Sequence, residues 1–337
     1  MKPPNVQLQP REEGMLRDMY LLGVLSDPQI REHYFKWTTP NKRHPQRKEM
    51  EKSTYYNRIR LLVQAGFIQK LSRRQLLEQP VPSMVYWLGV KGIAFICSER
   101  GVDDNFSRTS LHAQKRLAES LRRKGVIFKP TPDWLRVKHS IQVADLYFVA
   151  KAAAEHAGLI WDEWVPESRF RHDPPWVTYI ARRRNRQGKM VEEKRREKLY
   201  PDGFFRVLRP IEASDKSAED GGSKTEALGY LVELDRSTED NLRIVRTKVM
   251  PGEAFVLSKS LRKYTGLNSA RWIVVTTGEE RAENMKSAAE GVSARKWFYF
   301  CSMEQLRPEK FFDAKIWHLT NVEEPIDLLS HPEPGNK

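Results

Sequence analysis

Apolar side chains recur at helical spacing near the N-terminus. Four of them share one face of a helix predicted over residues 11–25: Met15, Met19, Leu22 and Leu25. Ser26-Asp27-Pro28 then supplies a capping oxygen and an early proline, which predicts the start of a second helix. A third helix is predicted over residues 53–64, and Gly66 ends it.

Two short strands are predicted next, at residues 67–68 and 84–88, and a helix over 90–97 closes the segment. Helices, a basic third helix and then a hairpin are, in this order, typical of a winged helix-turn-helix. In such a module the third helix enters the major groove of DNA. We therefore predict a DNA-binding domain over residues 10–98. A winged helix that contacts only protein is the alternative.

The predicted third helix and the hairpin tip carry the candidate DNA contacts. Arginine and asparagine side chains read base edges in the major groove, and arginines on the wing contact phosphates. The candidates are Tyr55, Asn57, Arg58, Arg60, Arg73 and Arg74.

Basic residues are concentrated in the first part of the chain. The 337 residues carry a formal net charge of +14, and residues 1–130 hold 24 basic and 12 acidic side chains, a net charge of +12. This excess favours a polyanionic partner such as double-stranded DNA, because neutralised phosphates release their counterions. A solvated basic surface is the alternative explanation.

Composition excludes several protein classes. The two cysteines, Cys97 and Cys301, lie far apart, which excludes a disulfide framework and a cysteine-based zinc site and fits a reducing cytoplasm. The N-terminus lacks the apolar stretch of a signal peptide, and the longest early apolar run, residues 20–25, is too short to cross a bilayer. We expect a cytoplasmic protein without a membrane partner.

A second domain is predicted over residues 134–320, after a charged helical arm and linker over 99–133. Its elements are a long helix over 137–156, strands at 159–165, 203–208 and 229–234, helical stretches at 238–248 and 257–264, a strand at 272–276, a helix at 279–289 and a strand at 296–300. Counting the two middle helical stretches as one layer, the order α-β-β-β-α-β-α-β predicts an α/β sandwich. The chain as a whole is thus expected to be an α+β or α/β protein.

Two polar inserts interrupt these elements. Residues 182–198 hold nine basic and three acidic side chains, and residues 212–226 include Gly221-Gly222. Both are predicted to be surface loops, and the basic one could reach a phosphate backbone. Residues 321–337 are predicted to form a flexible tail.

Three acidic residues end or precede predicted strands of the second domain. Asp202 precedes one strand, and strand alternation points Glu233 and Asp235 to the same face of another. If the strands are neighbours, three carboxylates converge, and such oxygen ligands select Mg²⁺ or Mn²⁺. Alternatively, Asp202 caps a turn and Glu233 pairs with an arginine such as Arg236.

Several short motifs carry a resemblance to known families. They are Lys138-His139-Ser140, Tyr200-Pro201-Asp202-Gly203, the segment from Glu233 to Glu239 (ELDRSTE) and the segment from Lys259 to Tyr264 (KSLRKY). Pro201-Asp202 followed by Glu233-x-Asp235 resembles the core of the PD-(D/E)XK nuclease superfamily. More narrowly, the chain resembles the replication-relaxation family of plasmids and mobile elements over about residues 10–300.

The resemblance implies a nuclease-like domain that binds a divalent ion through Asp202, Glu233 and Asp235. The superfamily has a lysine where this chain has Asp235, so that role would pass to Lys259, Lys263 or Lys248. Glu167 and Glu155 are further candidate ligands. The chain lacks the metal-binding histidines and tyrosine cluster that a strand-transferring relaxase needs.

Together these features predict a DNA-binding protein of a plasmid or mobile element with a Mg²⁺- or Mn²⁺-dependent endonuclease domain. Other proteins of the same element are expected as further partners. The alternative is a regulator or assembly factor that binds DNA through a degenerate nuclease fold without cutting it. A protein adaptor that does not bind DNA is a third interpretation.

Overall fold

The structure, a computed structural model, describes most of the chain. The described residues are 4–36, 52–72, 81, 83–102, 111–184, 187, 189–211, 225–236, 245–291 and 297–329. The chain divides into two compact units, Met1–Asp145 and Leu146–Lys337. The boundary falls within a helix, Val137–His156, rather than at residue 134 where the sequence places the start of the second domain.

The first unit contains helices and a small sheet. Its elements are α1 (Pro10–Leu22), β1 (Leu25–Ser26), α2 (Asp27–Tyr34), α3 (Lys52–Ala65), β2 (Ile68–Lys70), β3 (Val85–Leu88), α4 (Val90–Glu99) and α5 (Leu111–Arg123). The three strands lie in the order β1-β3-β2, and both pairs are antiparallel.

Local sequence signals set the ends of these elements. The Ser26 hydroxyl accepts a hydrogen bond from the Gln29 backbone N–H, and the Gln29 side chain accepts one from the Ser26 N–H, which forms a capping box. The predicted start of α2 is therefore confirmed. After α3, Gly66 adopts a φ of 86°, a conformation that glycine reaches without steric cost.

The second unit is built on a larger sheet. After α6 (Val137–His156), whose last part belongs to this unit, come β4 (Ile160–Pro166), α7 (Glu167–His172), β5 (Trp176–Arg184), β6 (Met190–Lys198), β7 (Gly203–Pro210), β8 (Thr225–Leu234), a π-helix (Val245–Val249), α8 (Met250–Val256), α9 (Ser260–Thr265), β9 (Arg271–Thr276), α10 (Glu279–Glu290), β10 (Phe298–Ser302) and β11 (His318–Leu319).

Six of these strands form a mixed sheet in the order β11-β10-β9-β8-β7-β4. The pairs β8–β9 and β9–β10 are parallel, and the other three pairs are antiparallel. Strand β9 is buried along its whole length, as its run of apolar and β-branched residues predicts. The coarse prediction of a mixed helix-and-sheet protein is thus confirmed.

Two predictions for this unit are wrong. Residues 182–198 are not a loop, because most of them belong to the hairpin of β5 and β6, whose strands pair from Trp176 with Lys198 to Arg184 with Met190. Residues 321–329 are not a flexible tail, because Ile326 pairs with Trp317 and the Leu328 side chain is fully buried. Most of the second predicted loop, residues 212–224, lies outside the described residues.

Within the part of the chain that the structure describes, no helix combines the length and the apolar character needed to cross a membrane.

Candidate functional site

Asp202 lies just before β7 and is held by the neighbouring strand. Its backbone N–H donates to the Val232 carbonyl at 2.9 Å, and its carboxylate oxygen Oδ2 accepts from the Leu234 N–H at 2.8 Å. The residue is 4% exposed. The antiparallel pairing of β7 with β8, which the sequence left as a condition, therefore brings Asp202 next to the end of β8.

Glu233 is buried on β8 beside a lysine. The Lys248 Nζ atom, which the π-helix supplies, lies 2.8 Å from Oε1 and 3.0 Å from Oε2 of Glu233. The same ammonium group donates to the Tyr200 carbonyl at 3.0 Å. Lys248 thus joins β8 to the segment that precedes Asp202.

A third carboxylate reaches Asp202 from the other side of β7. Glu167 is the first residue of α7 and follows β4, the strand that pairs with β7. A carboxylate oxygen of Glu167 lies within 4.8 Å of one of Asp202, and Arg171 donates to Glu167 at 2.7 Å. We call Glu167, Asp202 and Glu233 the acidic cluster.

Burial and neighbouring charges shift the pKa values of Glu233 and Lys248. Burial raises the pKa of the Glu233 carboxyl to about 8; the charge of Lys248 opposes this rise, and Asp202 and Glu167 add to it. Burial disfavours the charge on Lys248, but the surrounding carboxylates outweigh that cost and raise its pKa. Lys248 therefore offsets the negative charge at Glu233, as Arg171 does at Glu167.

The donor set fits a hard divalent cation. Two carboxylates within 4.8 Å of each other can share an ion with small side-chain movements, and carboxylate oxygens are the ligands that Mg²⁺ and Mn²⁺ prefer. Glu167 and Asp202 are therefore the residues that would hold the ion, with Glu233 next to them.

Asp235 is not part of the acidic cluster, which corrects the prediction that it is a metal ligand. Its side chain forms a salt bridge with Arg281 of α10 and accepts from the Thr276 hydroxyl at 3.0 Å. Strand β8 ends at Leu234, so the alternation that would place Asp235 beside Glu233 does not extend to it. Arg281 neutralises a carboxylate that is 6% exposed.

Two of the three lysines predicted to take the role of the PD-(D/E)XK lysine lie away from the acidic cluster. Lys263 is exposed and pairs with Asp173 at 2.9 Å. Lys259 is exposed at the N-terminal end of α9. Of the three lysines that the sequence offered, Lys248 is the one that reaches the acidic cluster. Both Lys259 and Lys263 are therefore corrected as catalytic candidates.

The candidate DNA contacts on α3 divide into buried and exposed residues. Tyr55 is 1% exposed and donates to Asp27 at 2.8 Å, so its assignment as a DNA contact is corrected. Arg58 is engaged with the fully buried Glu12, to which its NH2 group donates at 2.7 Å. Asn57 and Arg60 are exposed.

The predicted wing residues Arg73 and Arg74 lie outside the described residues. Asn57 and Arg60 are therefore the predicted α3 contacts whose side chains are exposed to a ligand.

The structure places two residues at the site, Glu167 and Lys248, that their sequence patterns mark only weakly. Glu167 was a secondary candidate, and the signal for it was its place directly after a strand. Lys248 follows Glu233 by fifteen positions in a segment predicted to be helical, and nothing in its spacing indicates the salt bridge.

Compared with known proteins, the chain matches no family model, no curated protein and no solved structure.

Proposed function

We propose that this is a cytoplasmic DNA-binding protein of a plasmid or mobile element whose second unit cleaves phosphodiester bonds with a divalent ion. The observation that carries the proposal is the convergence of the buried Asp202 and Glu233 with the half-buried Glu167 and Lys248. Buried carboxylates are costly unless a cation accompanies them, and sites with perturbed ionisation are frequently functional. The resemblance to the replication-relaxation family and to PD-(D/E)XK nucleases supports the same assignment.

Each residue of the cluster has a role in this proposal. Glu167 and Asp202 hold the ion, and the backbone hydrogen bond to Asp202 fixes its orientation. When bound, the ion polarises a phosphoryl oxygen and lowers the pKa of a bound water. Lys248 supplies the positive charge that the superfamily motif places two residues after the second acid. That charge offsets the negative charge of an attacked phosphate.

DNA binding is proposed for the first unit. Its order of three helices, a three-stranded antiparallel sheet and a closing helix is that expected of a winged helix. Asn57 and Arg60 are exposed on α3, where the recognition helix presents its side chains. The net charge of +12 in residues 1–130 favours binding to phosphates.

One observation favours the non-catalytic alternative. Both Glu233 oxygens lie within 3.0 Å of the Lys248 ammonium, and one Asp202 oxygen accepts from a backbone N–H. A cluster satisfied in this way can also serve as a structural element of a DNA-binding regulator.

Plasmid nicking separates the two candidates. Supercoiled plasmid is incubated with wild type, Asp202→Asn and Glu167→Gln in Mg²⁺, in Mn²⁺ and in EDTA. We expect nicking by wild type with metal only, and its loss to background in both variants. Asp173→Asn is the matched control, since it removes an exposed acid of the same unit.

Metal binding is measured in parallel by titration calorimetry with Mn²⁺. An intact plasmid in every metal, together with salt-dependent DNA binding by wild type, would establish the regulator instead of the nuclease.

A further inference from the structure

The β5–β6 hairpin has two chemically different faces. The inner face of β5 carries Val177, Tyr179 and Ala181, which are buried, and Val177 packs in the same core as Phe255 of α8. On the other side, which we call the outer face, β6 presents exposed residues at every second position. The side chains of Trp176, Ile180 and Met190 on this face are about half exposed or more, so the outer face is open to solvent within the described chain.

Three cations form a row on the outer face: Lys194, Arg196 and Lys198. They lie opposite Ile180, Thr178 and Trp176 of β5, respectively. Trp176 is 49% exposed, and its ring centroid lies 4.9 Å from the Arg196 guanidinium carbon and 5.1 Å from the Lys198 Nζ atom. Contacts of this kind hold cations in place without neutralising them.

The acids of β6 lie mostly on the opposite face. Glu197 accepts from the Tyr179 hydroxyl at 3.0 Å, and Glu193 pairs with Arg195 at 3.2 Å. Glu192 is on the outer face, but nearer the turn. Among the residues that the structure describes, none of the three outer-face cations forms a salt bridge with a carboxylate. Their charge therefore remains available to a partner.

The spacing of the row matches one class of polyanion. Alternate residues of a strand are about 6.8 Å apart. This is close to the separation of successive phosphates along a nucleic-acid strand, so three cations in register can contact consecutive phosphates. A lipid surface offers negative charge without such a regular row and does not require it. Nucleic acid is therefore the partner that this geometry favours.

The chain connects the hairpin directly to the acidic cluster at both ends. Trp176 follows Glu167 by nine residues, and Lys198 precedes Asp202 by four. Between Lys198 and Asp202, the buried Leu199 donates its N–H to the Pro175 carbonyl, which ties the base of the hairpin together.

We propose that the outer face of the hairpin binds the sugar-phosphate backbone of DNA without sequence preference, through Lys194, Arg196 and Lys198. A backbone bound there lies next to the segment that carries Asp202. The inference rests on the proposed function of the second unit, to which it adds the surface that holds the substrate strand.

Neighbouring residues of β6 provide a matched test. The triple variant Lys194→Gln/Arg196→Gln/Lys198→Gln is compared with Arg195→Gln, which changes a cation on the opposite face. Binding of a fluorescein-labelled duplex of about 20 base pairs is measured by polarisation over a range of salt concentrations. We expect the triple variant to bind about tenfold or more weakly and to lose roughly one unit of log–log salt slope per removed cation. Arg195→Gln should bind as wild type does.

The possible outcomes distinguish failure of the hairpin inference from failure of the proposed function. If wild type binds DNA but the triple variant keeps its affinity and slope, the hairpin inference is wrong and the proposed function stands. If wild type binds no DNA at low salt, both fail. If nicking is absent but the triple variant still loses affinity, the hairpin binds DNA in a protein that is not a nuclease.

Two further measurements complete the test. Thermal melting shows whether the triple variant is folded; if it is not, the single variants Arg196→Gln and Lys194→Gln are used, each with about one third of the expected loss of slope. Vesicles containing phosphatidylserine test the other anionic partner. If the triple variant loses vesicle binding but keeps its DNA affinity, the partner of the outer face is a lipid surface and the nucleic-acid proposal is wrong.

Discussion

Gly203 lies against the indole ring of Trp164. A Cβ atom at position 203 would be 2.7 Å from Cζ2 of that ring, closer than carbon atoms approach in proteins. Gly203 pairs with Pro166 across β4 and β7, so the close contact lies between the strand ends that carry Glu167 and Asp202. The absence of a side chain at residue 203 therefore leaves room for the indole ring between the strand ends that carry the two acids.

Replacement of Gly203 by alanine should destabilise the second unit. The rigid indole has to shift, and overpacking of this kind costs about 1–3 kcal/mol. Urea unfolding followed by tryptophan fluorescence measures the change. Gly14→Ala in α1 is the control, because its Cβ would have only one neighbour, at 4.0 Å, and alanine favours helix formation. Equal stability of Gly203→Ala and wild type would contradict the packing argument.

Replacement of Lys248 by methionine should destabilise the protein in a pH-dependent way. It leaves Glu233 buried without its cation, at a cost of about 3 kcal/mol. A carboxyl whose folded-state pKa is raised stabilises the fold fully below its ordinary pKa of 4.5 and loses that contribution as pH rises through the folded-state value. Without Lys248 that folded-state pKa rises further, so Glu233 is protonated in both folded proteins near pH 5, and the deficit of Lys248→Met should grow as pH rises through and above 8.

Unfolding free energies of Lys248→Met across this pH range test that expectation. The double variant Glu233→Gln/Lys248→Met should regain most of the stability lost above pH 8, because no buried carboxylate remains. Lys263→Met, which removes an exposed pair, should change stability by less than about 1 kcal/mol. A deficit of Lys248→Met that is constant with pH would exclude Glu233 as its source.

Arg58 and Arg60 should respond differently to alanine replacement. Arg58→Ala leaves the fully buried Glu12 without its main cation, so we expect a loss of about 3 kcal/mol in the free energy of unfolding. Arg60→Ala, on an exposed side chain, should leave stability within about 0.5 kcal/mol of wild type. If α3 contacts DNA, Arg60→Ala should weaken duplex binding. The opposite pattern would reverse the structural and DNA-binding roles assigned to these arginines.

Cys301 should be unreactive in the folded protein. Burial raises the pKa of its thiol to about 12, and the side chain is fully buried, so little thiolate exists at pH 8. A colorimetric thiol assay on Cys97→Ser should detect no thiol within minutes in buffer and one thiol in guanidinium chloride. Rapid labelling of the native protein would show that β10 opens locally.

The sequence predicted those elements whose signals are local. The capping box at Ser26 and the apolar run of β9 depend on neighbouring residues, so spacing alone identifies them. The β5–β6 hairpin was missed because its many charged residues suggested a solvated loop. Its register depends on pairing with β5, whose alternation of buried and exposed residues begins at Trp176, before the charged segment.

In the candidate site, too, residues with local sequence signals were predictable and residues placed by distant contacts were not. Asp202 and Glu233 were predicted because a short motif and an apolar strand mark them. The choice of Lys248 over Lys259 and Lys263 depends on where the π-helix places one ammonium group, which no spacing reveals. The position of Asp235 depends on Arg281, a residue 46 positions further along the chain.

The salt bridge between Asp235 and Arg281 also limits how this chain can be altered toward a standard nuclease motif. A lysine at position 235 would complete the PD-(D/E)XK pattern that the chain resembles, yet it would place a second cation against Arg281 in a site that is almost closed to water. A single substitution at position 235 would therefore not produce a stable PD-(D/E)XK arrangement in this chain. Any path to it has to change α10 as well as the end of β8.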